Sequence, residues 1–168
     1  MTISMYQASV PNFIRLLRHL AAILDKGAAY AETKKIDPAV LVSARLYPDM
    51  FPLSRQVQIA TDVVKACPAR LSGQQPPKFE DNEASFPELL ARIEKTIVFL
   101  ETFKAAQLDG TEGKRIAVPS RNGSMEMDGL PYLMNYVIPN FYFHVTTAYA
   151  ILRHCGVELG KSDFLGKL

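Results

Sequence analysis

The chain has 168 residues, 48% of them hydrophobic and 21% charged, and a formal net charge of +2. That length favours one domain around one core, and the balance is that of ordinary folded chains in water. A charge this mild, with Lys and Arg scattered rather than clustered, excludes a basic surface of the kind that binds nucleic acid or an anionic membrane.

Cys67 and Cys155 form no CxxC pair and no disulfide framework. Each lies in an apolar helical context, where a free cysteine acts as a small buried hydrophobe. The opening "MTISMYQASVPNF" has no charged leader ahead of an apolar run, as a signal peptide would. No run of about 18 apolar residues is found to span a membrane. The expectation is a cytoplasmic protein.

The first helical pattern covers residues 4–31, with Phe13, Leu16, Leu17, Leu20, Ile23 and Leu24 at three-and-four spacing and Pro11 as a kink. "DPAVLVSARL" starts a short helical piece with proline at a favoured first position. The second long helix, 53–69, puts Arg55, Gln58, Asp62 and Lys65 on an outer side. Leu53, Val57, Ala60, Val64 and Cys67 share the inner side, and Gln56 points with them. A polar loop, "SGQQPPKFEDNEAS", leads to Ser85 and Glu88, spaced as a capping box for a third helix over 86–107. "KRIAV" and "SMEM" flanking "PSRNG" read as a hairpin turning near Asn122-Gly123. A last helix runs from about 130 to 154, with Gly156 as its stop. Four long helices and one inserted hairpin predict an all-α four-helix bundle.

Several motifs have plain explanations. "GVELGKS" is one residue short of a phosphate loop, follows a helix rather than a strand, and has too little chain after it, so an extended tail is expected. Asn122-Gly123-Ser124 fits a glycosylation sequon, but the turn accounts for it. His19 shares the outer side of the first helix with Arg15, Arg18 and Lys26, a solvated position, and His154 suits the negative end of the last helix.

"PNFYFHVTTAYAILRHCG" is harder to dismiss. Met134, Ile138, Phe141, Val145, Ala148 and Leu152 make an apolar seam. Asn140, His144 and Thr147 lie among the apolar residues beside it. A helix apolar nearly all round is central, so these polar groups need partners; an unpaired one costs about 1–3 kcal/mol. Asn140 and His144, four apart, share a face, and Gln56 points inward from the second helix. The row is either the floor of a pocket or a satisfied internal network, with Tyr47, Tyr142 and Tyr149 as possible borders.

"PNFYFHVTTAYAILRHCGVELGKSDFLG", with "ARLYPDMFPLSRQVQIATD" and "YQASVPNFIRLL", resembles an uncharacterised branch of the DinB/YfiT-like metalloenzyme superfamily, over nearly the whole chain. The resemblance implies a DinB-like four-helix bundle, often a homodimer. It also implies a divalent zinc or nickel ion held by one histidine of the second helix and an H-x-x-x-H pair of the last, with transferase or hydrolase activity on small thiols. By alignment His144 matches the last of these ligands, while the others fall on Asn140 and Gln56. Amide oxygens replace imidazole poorly, so this set would hold a metal weakly even with Asp49 contributing a carboxylate. Two readings follow: a metal-dependent enzyme using His144, Gln56, Asn140 and Asp49, or a metal-free bundle that binds a small molecule or serves as a scaffold.

Overall fold

A computed structural model describes residues 2–120 and 123–166. Short α1 (Met5–Ala8) precedes α2 (Val10–Lys34), and the break falls at Ser9 rather than inside the helix at Pro11. Ser9, buried, donates its hydroxyl to Met5 O at 2.6 Å and turns the backbone there. Pro11 then occupies the first turn of α2, where no N–H is required of it.

Next come α3 (Pro38–Val42), α4 (Leu53–Ser72), α5 (Phe86–Glu101) and α6 (Ala105–Leu108). The third expected helix is thus cut short at Thr102, and α4 runs past Pro68 until Gly73, at φ 85°, closes it in the left-handed region. Strands β1 (Arg115–Ser120) and β2 (Gly123–Asp128) form an antiparallel hairpin with Ser120 opposite Gly123. The turn expected near Asn122 falls partly outside the described residues. Ile116 and Val118 alternate inward and seat the hairpin on the bundle.

The last helix is composite: α7 (Gly129–Pro131), a π-helical stretch (Tyr132–Val137) and α8 (Ile138–His154). Pro139 supplies no N–H to the carbonyl four residues back. The helix widens just before it, and Ile138 N–H reaches Leu133 O instead. The wider turn changes the helical phase. Met134, expected in the seam, is therefore 47% exposed, while Leu133 and Val137 are buried.

The long helices form a four-sided bundle in which α4 touches α5 and α8, and α2 touches the same two from the other side. Phe13, Leu17 and Leu24 from α2, Val57 and Val64 from α4, Ile93 and Leu100 from α5, and Val145 and Leu152 from α8 fill it. Burial of such side chains contributes about 1.5–3 kcal/mol each and dominates the fold. Among the described residues no helix is long and apolar enough to cross a membrane.

The stretch after Gly156 departs from expectation. Lys161–Leu165 forms a five-residue helix, α9, packed on α2. Asp163 holds it there, pairing with Lys26 at 2.7 Å and accepting from Gly160 N–H at 2.7 Å. His19 is not merely solvated, since its Nδ1 lies 3.0 Å from Phe164 O.

Candidate functional site

Gln56 lies in the second turn of α4, its backbone N–H bonded to Pro52 O, and is 2% exposed. Its side-chain Nε2 donates to Phe51 O at 3.0 Å, where the loop enters the helix. That bond fixes the amide and turns Oε1 toward α8. His144 Nδ1 stands 2.7 Å from this oxygen. Because Oε1 can only accept, Nδ1 carries the proton. The lone pair is then on Nε2, for which the described residues provide no partner. No buried side-chain polar atom among them is left unsatisfied, so Nε2 keeps contact with solvent. Burial, and then the nearby Arg55 guanidinium, push the His144 pKa down to about 4. At neutral pH the site is a neutral, oriented imidazole presenting one acceptor nitrogen.

The other expected members do not join this pair. Asn140, one turn upstream, is half-buried and makes no side-chain hydrogen bond among the described residues. Thr147 is buried but donates to Phe143 O at 2.7 Å, inside its own helix. Asp49 is exposed in the loop before α4 and forms no ion pair among the described residues. Tyr47 is exposed, and Tyr149 packs edge-on against Phe164. Gln56 and His144 line none of the five best-formed clefts among the described residues. The nearby groove, about 340 Å³, is walled by Leu46, Pro139, Tyr142, Phe143 and Thr147, among others, and the pair lies outside its walls.

These residues do not fit a transition metal. Among the described residues no three His, Cys, Asp or Glu side chains stand close enough to share an ion. Gln56 Oε1 is engaged by His144, and a neighbouring guanidinium opposes a second cation. One imidazole nitrogen remains, short of the three protein ligands a catalytic zinc site uses.

A second polar assembly escaped the helical pattern. The outer side of α4 is covered by the 74–85 loop, and Gln58 and Lys65 are each 5% exposed. Arg92, 3% exposed on α5, is the hub. Its guanidinium meets Asp62 at 2.8 Å, Asp81 at 3.0 Å and Glu83 at 2.9 Å, donates to Thr61 Oγ1 at 2.8 Å, and reaches Glu80 O at 3.0 Å. Arg55 also pairs with Asp81, and Gln58 Nε2 donates to Glu83 at 3.0 Å. Lys65 Nζ and Lys95 Nζ stand 3.8 and 4.2 Å from the centre of the Phe79 ring. The signal in the sequence was the phase of Arg92, which falls in the stripe of Leu89 and Thr96.

Comparison with known proteins agrees with this architecture. A family model described as a domain of unknown function (DUF1993) matches residues 5–165. The crystal structure of a DinB family member protein from Shewanella denitrificans is 43% identical, with a TM-score of 0.89, over 97% of this chain and 92% of that one. No curated protein matches. The match over nearly the full length, and the shared bundle with its inserted hairpin, make this chain a DinB-like protein of the DUF1993 family.

Proposed function

We propose that His144 and Gln56 form a hydrogen-bonding post for a small organic molecule, in a bundle that has lost the metal chemistry associated with this position. The observation that carries the reading is the 2.7 Å contact between His144 Nδ1 and Gln56 Oε1. It directs the one free lone pair outward, suited to a ligand O–H or N–H. The apolar groove formed by Tyr142, Phe143 and Leu46 alongside would take the ligand's hydrocarbon part. No resident cofactor is needed for such binding. Tyr47, Phe51 and Phe143, at 66%, 50% and 57% exposure, would give a second copy a face to cover, so a homodimer belongs to this proposal.

The test is a nitrogen-15 spectrum of histidine-labelled protein titrated with benzamide, benzyl alcohol and zinc sulfate. The expected result is a saturable shift of the His144 Nε2 signal with an N–H or O–H probe, lost in His144→Leu, and none with micromolar zinc. Saturation by one equivalent of zinc, with no response to the organic probes, would favour the metal-dependent transferase or hydrolase reading instead.

A further inference from the structure

A separate cleft of about 610 Å³ opens at the other end of α4, between that helix, residues 73–79 and strand β1. Arg70 on its wall is fourteen residues along α4 from Gln56, about 21 Å at 1.5 Å per residue, so the cleft is independent of the His144 site.

Its walls carry the cations Lys65, Arg70, Lys78, Lys114 and Arg115, and the single carboxylate Asp62. Asp62 is already shared by Lys65 at 2.6 Å and Arg92 at 2.8 Å. Arg115 is matched by Glu126 and Asp128 of the facing strand. Arg70, Lys78 and Lys114 remain, and among the described residues none of the three has a carboxylate within ion-pair distance. Arg70 donates to the buried Tyr132 hydroxyl at 3.0 Å and Lys114 to Leu71 O at 2.7 Å, both neutral acceptors. The negative end of the α4 dipole offsets about half a charge, leaving a clear positive excess. Phe79, Pro76 and Pro77 supply apolar lining beside these cations, with Lys65 Nζ 3.8 Å from the centre of the Phe79 ring.

From this pairing we infer that the cleft binds a small organic anion, with a phosphate or carboxylate head on Arg70, Lys78 and Lys114 and an apolar body against Phe79, Pro76 and Pro77. Arg70 is the anchor. Tyr132 holds one nitrogen of its guanidinium, and the remaining N–H groups have no partner among the described residues. Lys78 is exposed and adds charge at the rim.

The experiment is a proton–nitrogen-15 titration of the whole chain with phenyl phosphate and benzoate, using inorganic phosphate and benzyl alcohol as the head and body alone. Saturable shifts are expected at the amides of Gln75, Phe79, Ile116 and Ala117. Affinity should fall as sodium chloride is raised, and Lys78→Glu should weaken binding about tenfold, the effect of about 1.4 kcal/mol. Tighter binding of phenyl phosphate assigns a phosphate head, and tighter binding of benzoate a carboxylate head. At these amides each separate part should bind more weakly than the joined probe. Absence of saturable shifts with both probes, shifts elsewhere on the molecule, or an affinity indifferent to salt and to Lys78→Glu would overturn the inference. The His144 proposal would be untouched by any of these outcomes.

Discussion

Lowering the pH should destabilise this protein through His144 in a defined window. The folded imidazole has a pKa of about 4 against an ordinary value of 6.5. Above pH 6.5 both folded and unfolded chains hold it neutral, and its full contribution is present. Between 6.5 and 4 the unfolded chain takes up a proton that the folded chain resists, so stability falls. Below 4 both are protonated and the loss stops growing. With 1.36 kcal/mol per pKa unit, the loss relative to pH 7.5 is about 1.4 kcal/mol at pH 5.5 and about 2.5 kcal/mol at pH 4.5. Gln56 does not oppose protonation, since Nδ1 donates to it in both states. The resistance comes from burial of the imidazole and from Arg55. Urea denaturation of the native protein and His144→Leu at the three pH values isolates this contribution. Carboxylates such as Asp163, held below its ordinary range by Lys26, lose stability at similar acidity in both proteins and cancel in the difference. The variant should show a correspondingly shallower decline. Parallel curves for the two proteins, or a His144 titration midpoint near 6.5 by NMR, would refute the reasoning.

Gln56→Leu should cost about 1–3 kcal/mol by stranding the His144 N–H. Adding His144→Leu should recover part of that loss, which a double-mutant cycle in urea would measure. Arg92→Met should cost about 3–5 kcal/mol, because it removes the cation shared by Asp62, Asp81 and Glu83 and leaves Glu83 with none among the described residues. It should also free the 74–85 loop, seen as faster amide exchange there and earlier proteolysis. Gly129→Ala should lower the melting temperature sharply, since an added Cβ would collide with the Thr111 carbonyl oxygen. Gln56→His with Asn140→His should create zinc binding absent from the native chain, read by calorimetry.

Much of the bundle was legible because its apolar spacing is regular. Leu16, Leu17, Leu20 and Leu24 could occupy one face of a helix and nothing else, and the inward phase of Gln56 followed from Val57, Ala60 and Val64. The meeting of Gln56 and His144 was likewise readable, because Gln56 was the polar group on the inner side of its helix and His144 stood in the polar row of the last one. Asn140 misled because four-residue spacing fixes a shared face but not how far the neighbouring helix extends over it. Met134 misled because helical phase was counted through a π-helical turn that Pro139 requires. The outer side of α4 looked solvated because periodicity describes one helix and cannot show a later loop folding over it. Residues 74–85 bring Phe79 onto Lys65 and Glu83 onto Gln58. Arg92 sat in the apolar stripe of α5 from the start, and its partners lay in the acidic loop "FEDNE", whose return to the bundle no local spacing reveals.

The metal content of protein purified without a histidine tag and dialysed against a mild chelator tests the central claim most directly. If His144 is an oriented hydrogen-bond acceptor with Gln56 as its only fixed partner among the described residues, elemental analysis should find zinc and nickel far below one equivalent. One equivalent of either metal, retained through dialysis and lost in His144→Leu, would contradict the account.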